Sequence, residues 1–314
     1  MSREILIEIS DPTVPPAGLA IFKTTCIDIG ATYSSFKEFK KFLPVLFSIF
    51  WFICCGYWNS VFQVFAQERY TKWLSMNPDI PRDLILPDFF FKILPHLKQS
   101  WICDVYIGSY IVFSNFRFLF SKYRSCIVKR YFLLNGVLFL MRSFSIFFTI
   151  MPDPSLSQSD IKYNPFIEGF YLMFGIHKTT YDCMFSGHTA SIMLCTLMWH
   201  HYAGVVPILD VDVCGKCRKM VSKTGYPLGV SLTSLFAWVY FLFGVLLFCM
   251  THLHYFVDIY IGGVVTFLLF KMYNNYVTTM YTRDNAFNSF LRWFEQGAFD
   301  VTDVVGEQLD DELI

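Results

Sequence analysis

The chain has 314 residues, of which 54% are hydrophobic and only 16% charged, and its 36 Phe, 18 Tyr and 7 Trp make it too oily for a soluble domain of this length. Formal net charge is zero, and no long basic run interleaved with aromatics occurs, so nothing points to a nucleic-acid partner. The expected class is an all-α, polytopic membrane protein with its helices in one bundle.

Residues 1–41 lack a clear 3.6-residue period and contain the breakers Pro12, Pro15, Pro16 and Gly18, which predicts a loosely structured cytosolic leader with room for one short helix. Arg3, Lys23 and Lys37 are mixed there with Glu4, Glu8 and Asp11, so no cleaved signal peptide is expected. A spanning helix needs roughly 20 mostly apolar residues. Six segments meet that need, at 42–66, 102–121, 131–151, 187–207, 228–251 and 254–273. The second is the least apolar, because it carries Asp104, Asn115 and Arg117.

Local charge sets the orientation. The link after the second segment holds Lys122, Arg124, Lys129 and Arg130, and the link after the fourth holds Lys216, Arg218, Lys219 and Lys223, which places both in the cytosol. Both termini are then cytosolic, and the links after spans one, three and five face the lumen or exterior. Link 67–101 carries Arg69, Lys72, Arg82, Lys92 and Lys98 against this pattern, although charge in a longer loop counts for less. The outer link Pro152 to Phe185 contains an apolar stretch, Phe166 to Ile176, too short to span and suited to lie along the bilayer surface or dip into it. The organisation expected is a leader (1–41), a six-helix catalytic domain (42–273) and a cytosolic tail (274–314).

Of ten cysteines, Cys54, Cys55, Cys103, Cys195 and Cys249 lie within apolar segments, where a thiol packs as a small hydrophobe. Cys214-Gly-Lys-Cys217 has zinc-like spacing but no second pair, so no metal site is expected.

The residues that carry chemistry sit at the ends of spans four and six. Ser186-Gly187-His188-Thr189 opens the fourth on the outer side and His254 opens the sixth there, so two imidazoles share one face. His254 and Asp258 are four apart, which on a helix puts them on one stripe, with the carboxylate orienting one ring nitrogen and the other turned to substrate. An imidazole so held can attack phosphorus and form a phosphohistidine, while His188 gives and takes the protons. Gly187 permits close backbone approach, and amides at the helix start can hold phosphate oxygens. Arg142 is the candidate phosphate-neutralising cation or, alternatively, half of an ion pair with Asp104. Asp182 orients His188, binds an amine head group or caps the helix. His200 and His201 are read as interfacial, and His252 as flanking the site.

These residues resemble the sphingomyelin synthase family, a branch of the lipid phosphatase and phosphotransferase superfamily, over most of residues 84–273. The family motif Cys-Gly-Asp-x-x-x-Ser-Gly-His-Thr is matched by Asp182, Ser186, Gly187, His188 and Thr189, and His-Tyr-x-x-Asp by His254, Tyr255 and Asp258. Leu86-Pro87-Asp88 and Arg142 also fall at family-like positions. Thr180 and Tyr181 replace the family's Cys-Gly, Gly262 and Gly263 replace its Ala-Tyr, and Phe248 stands where the superfamily's phosphatases usually have Arg.

The resemblance implies six helices, a His188–His254–Asp258 triad facing the lumen or exterior, no cofactor, and residence in the Golgi or plasma membrane. It also implies transfer of phosphocholine from phosphatidylcholine, or of another glycerophospholipid's head group, to ceramide. Asp182, Tyr181 and Tyr255 are available to receive an amine head group. Phosphoethanolamine or phosphoinositol transfer, a lipid phosphatase or phospholipase C, and a non-catalytic membrane protein remain the alternatives, and a homo-oligomer is left open.

Overall fold

The computed structural model describes residues 16–81, 84–121, 124–155, 161–179, 183–202, 232–281 and 284–295, with side chains from residue 42 onward except at 278. The described residues fall into two units, divided between Leu43 and Pro44. Nine helices occur among the described residues: α1 (Pro16–Met76), α2 (Phe89–Ile93), α3 (Trp101–Leu119), α4 (Arg124–Phe148), α5 (Pro165–Met173), α6 (Gly187–His201), α7 (Leu232–Met250), α8 (Phe256–Thr279) and α9 (Ala286–Phe294). No strand occurs among them.

Four of these helices are long and apolar enough to cross a membrane: α1 from Phe42, α4, α7 and α8. They expose rows of large apolar side chains, among them Phe50 and Trp58 on α1, Leu242 and Phe243 on α7, and Tyr260 and Leu268 on α8. The helix surfaces are those of a membrane protein, since a water-facing helix turns such groups inward.

The remaining two expected spans differ for separate reasons. Two polar residues of α3 are satisfied within the protein: Arg117 is buried with its guanidinium 4.4 Å from the Trp199 ring centre, and Asn115 donates to the Ile111 carbonyl of its own helix at 2.9 Å. Helix α6 has only 15 residues, but it is the central helix, packed on α3, α4, α7 and α8. Every residue from Thr189 to Trp199 is buried, which explains why its sequence has no polar face.

Element boundaries depart from the sequence expectation in three places. The leader is helical from Pro16, whose proline sits at a helix start where its missing N–H costs nothing. The first span runs past residue 66 to Met76, because Gln67 to Met76 contains no breaker before Asn77-Pro78. The third span begins at Arg124, not 131, so Lys129 and Arg130 lie in α4 and are buried rather than exposed in a link. The basic link after span four and Cys214 and Cys217 lie outside the described residues.

Lys129 and Arg130 are tolerated inside the protein because the segment expected as a tail returns to them. Helix α8 continues to Thr279, and α9 then docks through Phe290, Trp293 and Phe294 around Phe47 of α1. The buried Glu295 accepts from Arg130 Nε at 2.9 Å and Nη2 at 3.1 Å, and lies 3.4 Å from Lys129 Nζ. Tyr273 donates its hydroxyl to the same carboxylate, Lys129 donates to the Phe294 carbonyl, and Arg130 Nη1 donates to the Tyr202 hydroxyl at 2.9 Å. Burial alone would raise the Glu295 carboxyl, but the two cations outweigh it and hold it below the usual range.

Glu295→Gln leaves two buried cations without their carboxylate and is expected to destabilise the protein by about 3–5 kcal/mol. Because the folded-state carboxyl is depressed, its contribution is present above an unfolded value of about 4.3 and is lost as pH falls through the lower folded value. Thermal unfolding of the detergent-solubilised protein should separate variant from parent at neutral pH and converge at strongly acid pH. Coincident curves at neutral pH would contradict the anchoring role.

Candidate active site

Two helix starts make the site. Ser186 caps α6, its Oγ accepting from the Thr189 amide at 3.1 Å and from Thr189 Oγ1 at 3.0 Å. Ser-Gly-His-Thr is thus a helix cap that holds His188 in the first turn. The other start is α8, preceded by the short connector from α7, in which His252 has φ +51° and is stacked between Phe91 and His96. Burial lowers the His252 pKa, with a further push from His96 against an opposing pull from Asp88.

His254 precedes α8, and Tyr255 is the cap, so the expected helical stripe joining His254 to Asp258 does not exist. The two still meet, with His254 Nδ1 3.9 Å from Asp258 Oδ2. The reason is that Asp258 closes the start of its own helix, accepting from the Tyr255 amide at 3.1 Å. Fully buried, it also accepts from the Met184 amide at 2.9 Å through Oδ1, while its main-chain carbonyl accepts from the Ser186 amide at 3.2 Å. One residue therefore binds both helix starts.

The two histidines face each other, His254 Nε2 lying 3.4 Å from His188 Nδ1. The other nitrogen of His188, Nε2, is 3.1 Å from Asp104 Oδ1. The result is a row of carboxylate, imidazole, imidazole and carboxylate reaching from the open Asp104, whose side chain is 60% exposed, to the closed Asp258. His188 is 28% exposed and His254 3%, so access is from the Asp104 side.

Asp104, beside His188, is not among the site residues expected from the sequence. The sequence marks it as a charge within the second span and as the ion-pair alternative for Arg142, whereas the described contacts give it to His188. Arg142 instead lies buried beneath the turn into α6: Nε donates to the Phe185 carbonyl at 2.9 Å and Nη1 to Asn59 Oδ1 at 3.1 Å. A Cβ on Gly187 would sit 3.3 Å from Arg142 Nε, so the glycine lets the guanidinium come up against the backbone of the turn. Tyr255 is 2% exposed and its hydroxyl accepts from the Leu86 amide at 3.0 Å, which makes it an anchor for the chain entering α2. Asp182, Thr180 and Tyr181 lie outside the described residues. His200 and His201 are at the opposite end of α6.

The Leu86-Pro87-Asp88 stretch is tied to the same place. Asp88 accepts from the Phe90 amide at 2.8 Å through Oδ1 and from the Phe256 amide at 2.8 Å through Oδ2, capping α2 and α8 together. This carboxylate at the α8 N-terminus is favoured by the helix dipole and fixes the connector that carries His254.

Residues 181–275 match the PAP2 superfamily C-terminal family. Sphingomyelin synthase-related protein 1 of Homo sapiens is 25% identical over 249 residues, 75% of this chain and 52% of that protein. The Mus musculus protein of that name is 26% identical over 255 residues, covering 75% and 45%. Phosphatidylcholine:ceramide cholinephosphotransferase 2 of Mus musculus is 26% identical over 136 residues, covering 38% and 36%. The chain thus spans about half or less of the length of these relatives. The chain is thus similar to sphingomyelin synthase-related and ceramide cholinephosphotransferase proteins, and its residues 181–275 carry the PAP2 superfamily C-terminal match.

Close helix packing at the site is tested at Gly262, where an added Cβ would meet the Ser186 carbonyl oxygen at 2.8 Å. Gly262→Ala is expected to push α8 from the start of α6 and to cost about 1–3 kcal/mol in thermal unfolding. Gly263→Ala, whose Cβ meets nothing closer than 3.8 Å, should leave the melting curve in place or raise it slightly. Equal effects would contradict the close contact.

Proposed function

We propose that this chain belongs to the sphingomyelin synthase family and is a lipid phosphotransferase that moves phosphocholine from phosphatidylcholine to ceramide. The observation that carries the reading is the 3.4 Å approach of His254 Nε2 to His188 Nδ1, with a carboxylate beside each ring. His254 is the nucleophile because it is the buried ring and has the fully buried Asp258 on its far side. Its Nε2 bonds to phosphorus, the phosphorus–oxygen bond to diacylglycerol breaks, and His188 protonates the leaving alkoxide. The primary hydroxyl of ceramide then attacks phosphorus, His188 takes its proton, and the nitrogen–phosphorus bond breaks to release sphingomyelin.

Asp104 has its role through His188. A carboxylate 3.1 Å from Nε2 stabilises the imidazolium formed when the ring takes the acceptor's proton, and turns Nδ1 toward the reacting phosphorus. Arg142, beneath the turn that presents Gly187 and His188, sets a fixed positive charge behind the α6 start, where amides and dipole already favour an anion. Ser186 and Gly187 shape that cradle. Asp182 and the exposed Asp104 supply the negative charge an amine head group needs. No cofactor enters the scheme.

In this reading α3 and α6 complete six spans with α1 from Phe42, α4, α7 and α8. The histidines lie at one end of α6 and the Glu295 cluster at the other, with both termini cytosolic and the site on the lumenal or external face of the Golgi or plasma membrane. Both lipids reach the site laterally from the bilayer. A second reading is hydrolysis, favoured by the open Asp104 side, through which water can reach His188.

Expression in cells that lack the native activity, with mass spectrometry of sphingolipids, should reveal sphingomyelin and an equal amount of diacylglycerol. Phosphoethanolamine or phosphoinositol ceramide would change the head group assigned. Diacylglycerol release that continues without ceramide would establish hydrolysis. His254→Ala should abolish turnover while the protein still assembles. Asp104→Asn should lower turnover by about 10²-fold or more, the scale of a mispositioned general acid–base group. Unchanged turnover in either variant contradicts its role.

A further inference from the structure

Beside the nucleophile lies a set of side chains that the reaction above does not account for. The Cys183 sulfur, a ring nitrogen of His254 and a carboxylate oxygen of Asp258 all lie within 4.8 Å of one another, and all three residues are buried. The backbone builds this convergence. Met184 is held at φ +108°, a conformation that a residue with a side chain rarely adopts, and its amide is bound to Asp258 Oδ1 at 2.9 Å. That bond fixes the neighbouring Cys183 against Asp258.

A thiol, an imidazole and a carboxylate are donors for a borderline-soft divalent cation, whereas magnesium and calcium ask for oxygen alone. Tetrahedral zinc, with bonds of about 2.0–2.3 Å, sets its ligand atoms about 3.3–3.8 Å apart. Side-chain rotations that close the gaps by about 1 Å convert the cluster into a three-ligand site with one position left for water. The metal would occupy the Asp258 side of His254, away from the Nε2 that faces His188.

We propose that Cys183, His254 and Asp258 form a zinc site whose occupation switches the nucleophile off. The switch rests on the reading that His254 attacks phosphorus. A cation bound at Nδ1 takes the place of the proton there, which moves to Nε2 and leaves that nitrogen no lone pair for phosphorus. Binding deprotonates the Cys183 thiol and releases one proton, with no change in oxidation state. Cys183 itself touches neither lipid phosphorus nor leaving group, so its removal deletes the switch and spares the reaction.

The test uses full-length protein in lipid nanodiscs, freed of metal by a chelator. It is made in a Cys214→Ser/Cys217→Ser background, because that pair has metal-binding spacing of its own. Titration with Co2+ should give a thiolate-to-cobalt charge-transfer band that saturates near about one equivalent and is displaced by Zn2+. Adding Cys183→Ser, or Cys183→Ala as a second variant, should remove the band and leave the thermal transition in place.

Buffered free Zn2+ should inhibit phosphotransfer in the background protein at concentrations about tenfold or more below those needed for the Cys183 variants. A band that survives loss of Cys183, or no band in the background protein, overturns the site, and binding without inhibition overturns the switch. The cobalt band reads the site whether or not the protein transfers phosphoryl groups, so failure of the site and failure of the proposed function are separate results.

Discussion

The site depends on what one carboxylate holds. Asp258 closes the start of α8 through the Tyr255 amide, pins the turn into α6 through the Met184 and Ser186 amides, and lies beside His254. Hydrogen bonds to an ionised acceptor are roughly twice as strong as neutral ones, and a buried carboxylate is stable only when its lone pairs are so used. With Asp258 in place, two helices from distant parts of the chain present their first turns to each other, and the histidines they carry come within 3.4 Å. The close approach of Gly262 to Ser186 and the double cap by Asp88 support the same junction.

The rest of the bundle shows how an apolar chain carries such a site. Several polar side chains in the helices are satisfied within the protein: Asn59 by Arg142, Asn115 by its own helix, and Arg130 by Glu295 and Tyr202. The two ends of α6 are specialised for different tasks. At its N-terminus the charges are partly open, and near its C-terminus they are sealed into a cluster that binds α9 to α4. Sealed charges contribute to holding the helices in register, while Asp104 and, in part, His188 are open to the surface.

Much of this was legible in the sequence. Six apolar segments can be read from length alone, and all six contain helices. The pairing of His188 with His254 follows from two motifs and the parity of the crossings. The start of α4 was misplaced because Lys129 and Arg130 look like a basic loop unless one knows that Glu295 pairs with them. Likewise the His254–Asp258 spacing suggests a helical stripe, but Tyr255 begins the helix and the contact is made across its cap. Asp104 was visible as a cost in a membrane segment. Its compensation lay 84 residues away in His188, and a local pattern does not encode that partner.

The account is tested most directly by trapping the intermediate. Protein incubated with phosphatidylcholine labelled in its phosphate, without ceramide, and digested after rapid quenching should carry the label on the peptide containing His254. Adding ceramide should discharge that label into sphingolipid. Label on His188, or turnover with no labelled peptide on the timescale of the reaction, would contradict an arrangement in which His254 attacks and His188 moves the protons.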